Sequence, residues 1–325
     1  VTLFILRRVI QSVFVLLAVS LVVFFAVYAI GDPVELLVSP DTSAAEREVM
    51  IRRLGLDLPI WRQYLVFLGN LAQGDLGTSF VHGVPAVELI LQRLPATLEL
   101  VVLSLVIAVS IGLPLGMIAG LAPETRTART IMTGSIFGYS LPAFWQGMML
   151  IFVFAVFLNW APAAGRGDTV SLLGVEVSFL TADGWSHLIL PAINLALPNL
   201  ALVLRLAASG TAEARLQDYV KYARAKGVRR GRIVRRHILR NILVPVVTVI
   251  GVEFGSLIAY STITETVFAW PGMGKLLIDS VYQLDRPVVV AYVMIATFIF
   301  VTVNLLVDLA YAMLDPRVEL EKGAS

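Results

Sequence analysis

Few side chains in this 325-residue sequence have the types and spacing for covalent chemistry. Cysteine is absent, which removes disulfides, thiolate catalysis and Cys-ligated zinc or iron–sulfur centres. The three histidines, His82, His187 and His237, show neither HExxH nor any other metal-ligand spacing. No GxSxG nucleophile elbow is present. Gly272-Met-Gly-Lys275 has the glycines and lysine of a phosphate loop. It lacks the upstream glycine and the Ser/Thr after the lysine, so it reads as a turn following Trp270-Pro271. Nothing in the sequence hydrolyses ATP, and active transport would draw its energy from a partner. Two features remain. Glu253 is an ionisable side chain near the middle of an apolar run, where such a residue either faces a substrate or ion path or pairs with a neighbouring helix or subunit. Residues 218–241, DYVKYARAKGVRRGRIVRRHILRN, hold nine Lys and Arg in an otherwise apolar chain.

The elements that position these residues follow from composition. The chain is 58% hydrophobic and 15% charged, where a soluble domain is about half apolar and about a quarter charged. The net charge is only +2, so the chain as a whole is not a polybasic nucleic-acid binder. A spanning helix needs about 20 mostly apolar residues. Such runs lie at 9–31, 100–123, 130–165, 184–204, 241–264 and 287–307, predicting an all-α polytopic membrane protein with six spans. The third run has room for a helix and an irregular exit at Pro162. The first is longer than the about 7–15 apolar residues of a signal peptide and has no small-x-small cleavage site, predicting an uncleaved helix.

Lys/Arg bias sets the direction of insertion. Arg7 and Arg8, the 122–129 loop with Arg126 and Arg129, and the 218–241 block share one face. That face is predicted to be cytoplasmic, with both termini. The segments 32–95, 166–183 and 265–286 are then outside. Within 32–95, Ser43-Ala-Ala-Glu46 reads as a capping box. Pro59 suits the first turn of a second helix, along which Ile60, Trp61, Tyr64, Leu65, Leu68 and Leu71 form an apolar stripe. This segment is expected to be a helical insert packed on the membrane core.

Gly112, Gly116 and Gly120 form a small-xxx-small face on which another helix can approach closely. Pro142 in span three and Pro191 and Pro198 in span four free backbone carbonyls, which is tolerated beside neighbouring helices or a water-lined cavity. Spans three to five are therefore candidates for lining a pathway, with Ser140, Pro142, Phe144, Asn194 and Glu253 as its candidate residues. Simple helix kinking is the competing reading. In the basic block, Asp218 is placed to cap a short helix over 219–226, and Gly227 to end it. A second helix is predicted to start near Val228, with Arg229, Arg230, Arg232, Arg236 and Arg240 on one side. Val234, Ile238 and Ile242 fall on the other side, while Ile233 and Arg235 break the pattern. By physics alone, the block is either a docking element or a topology signal in contact with anionic lipid.

Tyr219-Val-Lys-Tyr-Ala-Arg-Ala-Lys-Gly227, followed by His237, Leu239-Arg240-Asn241 and Pro245, resembles the cytoplasmic loop of dipeptide/oligopeptide ABC-importer permeases. Leu54-Gly-Leu-Asp57 with Pro59, and Gly74-Asp-Leu-Gly-Thr-Ser79, resemble that family's external segment. Ser140-Leu-Pro-Ala-Phe144 is similar to its span-three motif and Leu190-Pro191 to the start of its span four. Glu265-Thr-Val-Phe268 with Trp270-Pro-Gly-Met-Gly274 is similar to its external turn. Asn304-Leu-Leu-Val-Asp308 and Leu314-Asp-Pro-Arg317 are similar to its C-terminal end. The order and spacing of these motifs cover nearly the whole chain.

The resemblance implies a type I ABC-importer transmembrane domain in a bacterial or archaeal plasma or inner membrane. It implies an N-terminal span at 1–31, an external insert at 32–95, a permease core at 96–317 with a cytoplasmic coupling loop at 209–240, and a tail at 318–325. Implied partners are a second homologous permease, two ATPase subunits, an extracytoplasmic solute-binding protein and membrane lipid, with no nucleic acid. No cofactor would be bound by this chain; ATP and Mg would sit on the ATPase subunits. The coupling element carries over onto Tyr219, Tyr222, Ala223, Arg224, Ala225, Lys226 and Gly227. The loop departs from the general importer pattern in having Lys221-Tyr-Ala223 where Glu-Ala-Ala is usual. Implied cargoes are dipeptides, oligopeptides, glutathione, nickel chelates or oligosaccharides. An ion-coupled carrier using Glu253 is the alternative; it would be expected to show inverted repeats, which the sequence lacks. An intramembrane enzyme would need paired reactive groups that the spans do not contain.

Overall fold

The computed structural model describes residues 2–29, 48–49, 52 and 57–314. The Ser43-to-Glu46 capping box, Leu54–Leu56 of the Leu54-to-Asp57 motif, Asp315-Pro-Arg317 and the 318–325 tail lie outside the described residues. The chain divides into two compact units, Val1–Leu94 with Leu276–Leu305 and Pro95–Lys275 with Leu306–Ser325.

Apolar composition and length produce helices throughout. Helix α1 is Thr2–Ala29, α2 Ile60–Ala72, α3 Ala86–Leu121 and α4 Arg126–Ser140. Helix α5 is Ala143–Phe157 and ends in a π-helical segment, Ile151–Phe157. Strands β1 (Val170–Leu172) and β2 (Val175–Val177) form an antiparallel hairpin. Helix α6 is Ala182–Ala214 and α7 Asp218–Ala225. Helix α8 is Arg230–Val267, α9 is Met273–Tyr282 and α10 is Arg286–Leu314. Five of these helices are long and apolar enough to cross a membrane, and α4 with α5 make a sixth span if the bent pair is counted as one.

That pair corrects the expectation of a single helix in the third run. Helices α4 and α5 meet at 104°. Leu141 is extended at the corner, with φ −85° and ψ 139°, the region to which a following proline confines its neighbour. The carbonyls freed there are not left bare, because buried Gln146 donates from Nε2 to Gly138 O at 2.9 Å and Leu141 O at 2.7 Å. The irregular exit expected near Pro162 follows Phe157.

In the first unit, α2 lies on α1 through Tyr64, whose hydroxyl is 2.9 Å from Ser20 Oγ, and through rings at Phe24, Tyr64 and Phe67. Val23, Val290 and Met294 are buried against Phe67, Leu71 and Leu76. The apolar stripe of α2 is therefore rotated from the one expected: Ile60, Trp61 and Leu65 face outward. Asp285 accepts from Ser79 Oγ and from Phe80 N, joining the chain after α2 to the start of α10.

In the second unit α6 is central and is the most buried of the long apolar helices. The glycine face of α3 is what lets it lie against α6. A Cβ at Gly112 would be 2.9 Å from Leu200 O, and one at Gly116 would be 2.7 Å from Ala207 Cβ. At Gly120 it would be 2.6 Å from Thr211 Cβ. Helices α4, α5 and α8 also pack on α6.

Candidate functional site: the seated short helix and the polar core of the spans

Helix α7 follows α6 after a three-residue turn and reads as a two-sided element. Val220 and Ala223 are buried, and Tyr222, Arg224, Ala225 and Lys226 are exposed. The buried side sits in a cluster with Ala214, Ile233, Ile238, Ile242 and Val246. At the far end Gly227 has φ +72°. Its N–H donates to Arg224 O at 2.9 Å and Val228 N to Ala223 O at 3.1 Å, the paired bonds of a Schellman stop. Among the described residues nothing lies within 4 Å of where a Gly227 Cβ would be, so backbone conformation, not crowding, calls for glycine here. Asp218 is not the cap expected of it. Gln217 holds that position without a side-chain bond, and Asp218 lies in the first turn, 2.9 Å from Lys221 Nζ. The hydrogen bond from Lys221 and then its charge hold the Asp218 carboxyl below the usual carboxylate range. Tyr219 accepts a hydrogen bond from Asn241 at the base of α8.

The lead-in to α8 corrects the expected helical wheel. It starts at Arg230, and Val234–Ile238 is a π-helical turn. A π turn carries an extra residue, so positions five apart come to one face. Ile233 and Ile238 are both buried, and Ile242 continues their row. Ile233, which broke an ideal 100° pattern, is thus part of the seat. Arg229, Arg232, Arg235, Arg236 and Arg240 stay exposed.

The candidate pathway residues lie on α4, α5, α6 and α8 and at the α4–α5 corner. Ser140, Pro142 and Phe144 are exposed at the α4–α5 corner. Asn194 is buried and donates from Nδ2 to Thr264 Oγ1 at 2.9 Å, tying α6 to α8. Glu253 is half-buried on α8.

The buried acids that organise the unit are Glu99 and Glu265, which sequence reasoning did not single out as site residues. Glu265 accepts from Thr97 Oγ1 at 2.7 Å, Ser261 Oγ at 3.0 Å and Lys275 N at 2.9 Å. Thr97 in turn accepts from Met273 N at 2.9 Å, and Trp270 Nε1 donates to Ala96 O at 2.9 Å. A Cβ on Gly272 would run into the Glu265 carboxylate, and one on Gly274 would clash with Thr262 and lie 3.0 Å from Glu265 Oε2. The spacing in Glu265-to-Gly274 is therefore that of a carboxylate enclosed by its own following turn. Nearby, Arg166 Nη2 lies 3.1 Å from Glu99 Oε1. Glu99 also accepts from Ser178 N at 2.8 Å and Ser178 Oγ at 2.6 Å, fastening the hairpin to α3. The available signal was a glutamate closing an apolar run with glycines seven and nine residues later.

Several spans around a central helix, a proline corner and a short helix seated where spans end define the membrane-embedded part of a transporter. The comparisons agree with that class. The chain matches the binding-protein-dependent transport system inner membrane component family over residues 112–320, and that family's N-terminal membrane component over 1–101. It belongs to this family of multi-pass inner-membrane proteins. It is 40% identical to the oligopeptide transport system permease protein AppB of Bacillus subtilis, covering 97% of this chain and 99% of AppB. It is 38% identical to the dipeptide transport system permease protein DppB of Escherichia coli, over 98% of this chain and 99% of DppB. It is 37% identical to the E. coli glutathione transport system permease protein GsiC, over 97% and 98%. A chain of the MetNI methionine ABC transporter in inward-facing conformations has the same fold. Its TM-score is 0.51 at 18% identity, over 70% of this chain and 94% of that one. The fold is that of a type I ABC-importer membrane domain, and these findings do not favour the ion-coupled alternative built on Glu253.

Proposed function

We propose that this chain is a permease subunit of an ATP-driven importer of dipeptides or oligopeptides. A second homologous permease completes the pathway, two ATPase subunits bind and hydrolyse ATP with Mg, and an extracytoplasmic binding protein delivers the cargo. The termini and α7 lie on the cytoplasmic side. The observation that carries the reading is the pairing of full-length similarity to AppB and DppB with a short helix that is half seated and half exposed. An element of this shape suits an ATPase cleft. Its inner side, Val220 and Ala223, is gripped by the spans, while Tyr222, Arg224, Ala225 and Lys226 are open to a partner. When the ATPase pair closes, α7 and its seat move together and bias the spans between two arrangements, which is alternating access by differential binding. Pathway lining is assigned to the α4–α5 corner with Ser140, Pro142 and Phe144, and to the α6–α8 contact at Asn194; Glu253 faces the pathway from α8.

The test is ATPase stimulation by loaded binding protein in the reconstituted complex. Ala225→Glu charges the exposed side of α7 without touching its seat, and Gly227→Val strains the stop. Both variants should assemble in the membrane and lose most of the stimulation. Wild-type stimulation in both would remove the coupling assignment.

A further inference from the structure

Behind α7 lies a cavity of about 460 Å³ in the second unit. Three arginines line it: Arg215 just after α6, Arg224 on α7 and Arg230 at the start of α8. Its other wall is apolar and includes Leu121, the last residue of α3, with Ile233 and Ile238. Among the described residues no Asp or Glu lines it, and Asp218 is engaged by Lys221. Arg215 Nε is buried and has no hydrogen-bond partner among the described residues. Arg215 is half-buried while Arg224 and Arg230 are exposed, and three like charges around one recess repel one another. An anion in the recess would relieve that repulsion. Arginine forks match phosphate oxygens bidentately. The apolar wall is built from residues at or beside the ends of spans α3 and α8, where lipid headgroups meet protein. A soluble anion has no use for that wall, and an acidic side chain of a docked protein would leave it bare.

We propose that the cavity holds the phosphate group of an anionic phospholipid, gripped by Arg215, Arg224 and Arg230, with the glyceride portion against Leu121, Ile233 and Ile238. One phosphate would then bridge the end of α6, the short helix and the lead-in to α8, so lipid composition would set how firmly α7 is held. The inference does not depend on the cargo.

The experiment is native mass spectrometry of the purified full chain, titrated with dihexanoyl-phosphatidylglycerol, dihexanoyl-phosphatidylcholine or inorganic phosphate. The wild type should retain phosphatidylglycerol in preference to phosphatidylcholine and should not bind inorganic phosphate alone. Arg215→Gln and, separately, the exposed Arg230→Gln should weaken phosphatidylglycerol binding about tenfold, the loss of one charge-assisted contact. Arg236→Gln, on the same basic block but outside the cavity, should not. Circular dichroism on each variant separates loss of the site from loss of the fold, and Arg230→Gln alone suffices if Arg215→Gln does not fold. Unchanged retention in Arg230→Gln, or equal loss in Arg236→Gln, overturns the proposal. So does equal binding of inorganic phosphate, which would make the site one for a soluble anion. Intact lipid binding with loss of ATPase association would assign the arginines to a protein contact and equally overturns it.

Discussion

At the scale of the residue, Gly227 and Glu265 show two different reasons for a fixed identity. Gly227 has open space around it and a left-handed backbone, so Gly227→Ala should cost about 1–2 kcal/mol through strain in the stop alone. The expected readout is faster proteolysis or amide exchange in 219–228, with the spans unaffected. Glu265 is fully buried, and its carboxylate accepts from two hydroxyls and the backbone of the following turn. Glu265→Gln replaces an acceptor oxygen with an amide N–H₂ that faces donors. A loss of about 1–3 kcal/mol for each buried donor left unsatisfied should appear as a lower melting temperature of the detergent-purified protein. Gly272→Ala should give a similar drop by pressing on the same carboxylate, and an unchanged melting temperature in both would mean that this knot contributes little. Arg166→Ala should leave Glu99 without its cation and free the hairpin, giving rapid exchange at Val170–Val177.

Among the elements, some were legible from sequence and some were not, for physical reasons. The Gly112/Gly116/Gly120 face was readable because small residues at four-residue spacing have one use in a span, and its partner proves to be α6. Gly116→Leu should separate α3 from α6 and cost at least the about 1–3 kcal/mol of an overpacked core, read as loss of monodisperse protein. Pro142 announced a break but not its 104° angle, since the angle depends on Gln146 binding the freed carbonyls. The π turn at Val234–Ile238 was hidden because an inserted residue leaves no mark in composition, only a misfit at Ile233 that looked like noise. Deleting Arg235 should restore an ordinary helix, rotate Ile233 out of the seat and abolish stimulated ATPase activity in the complex. The hairpin was missed because its turn is Leu173-Gly174, with Leu173 at φ 54°, rather than the Asn-Gly or Asp-Gly that marks such turns. The stripe on α2 was misplaced because one exposed side of an insert is as apolar as its buried side.

Over the whole molecule, the class of protein was legible because lipid demands long apolar runs and the motifs recur in order. The buried acids were less so: a glutamate at the end of a run looks the same whether it faces water or a cage of hydrogen bonds. Within the second unit these bonds are unevenly shared. Thr97, Glu99, Glu265 and Trp270 tie one end of α3 and α8 through directional contacts, while Val203, Ala207, Ile242 and Val246 meet the α7 end through apolar packing, with the bond from Asn241 to the Tyr219 hydroxyl beside it. Hydrogen bonds resist displacement in a particular direction, whereas packed alkyl groups slide at small cost while they stay covered. The unit is thus built as a lever with its fulcrum at the carboxylates. A push on α7 passes mainly through packed alkyl groups before it reaches the hydrogen-bonded end, and amides around 96–99 and 265–275 should be the last of this unit to exchange with deuterium.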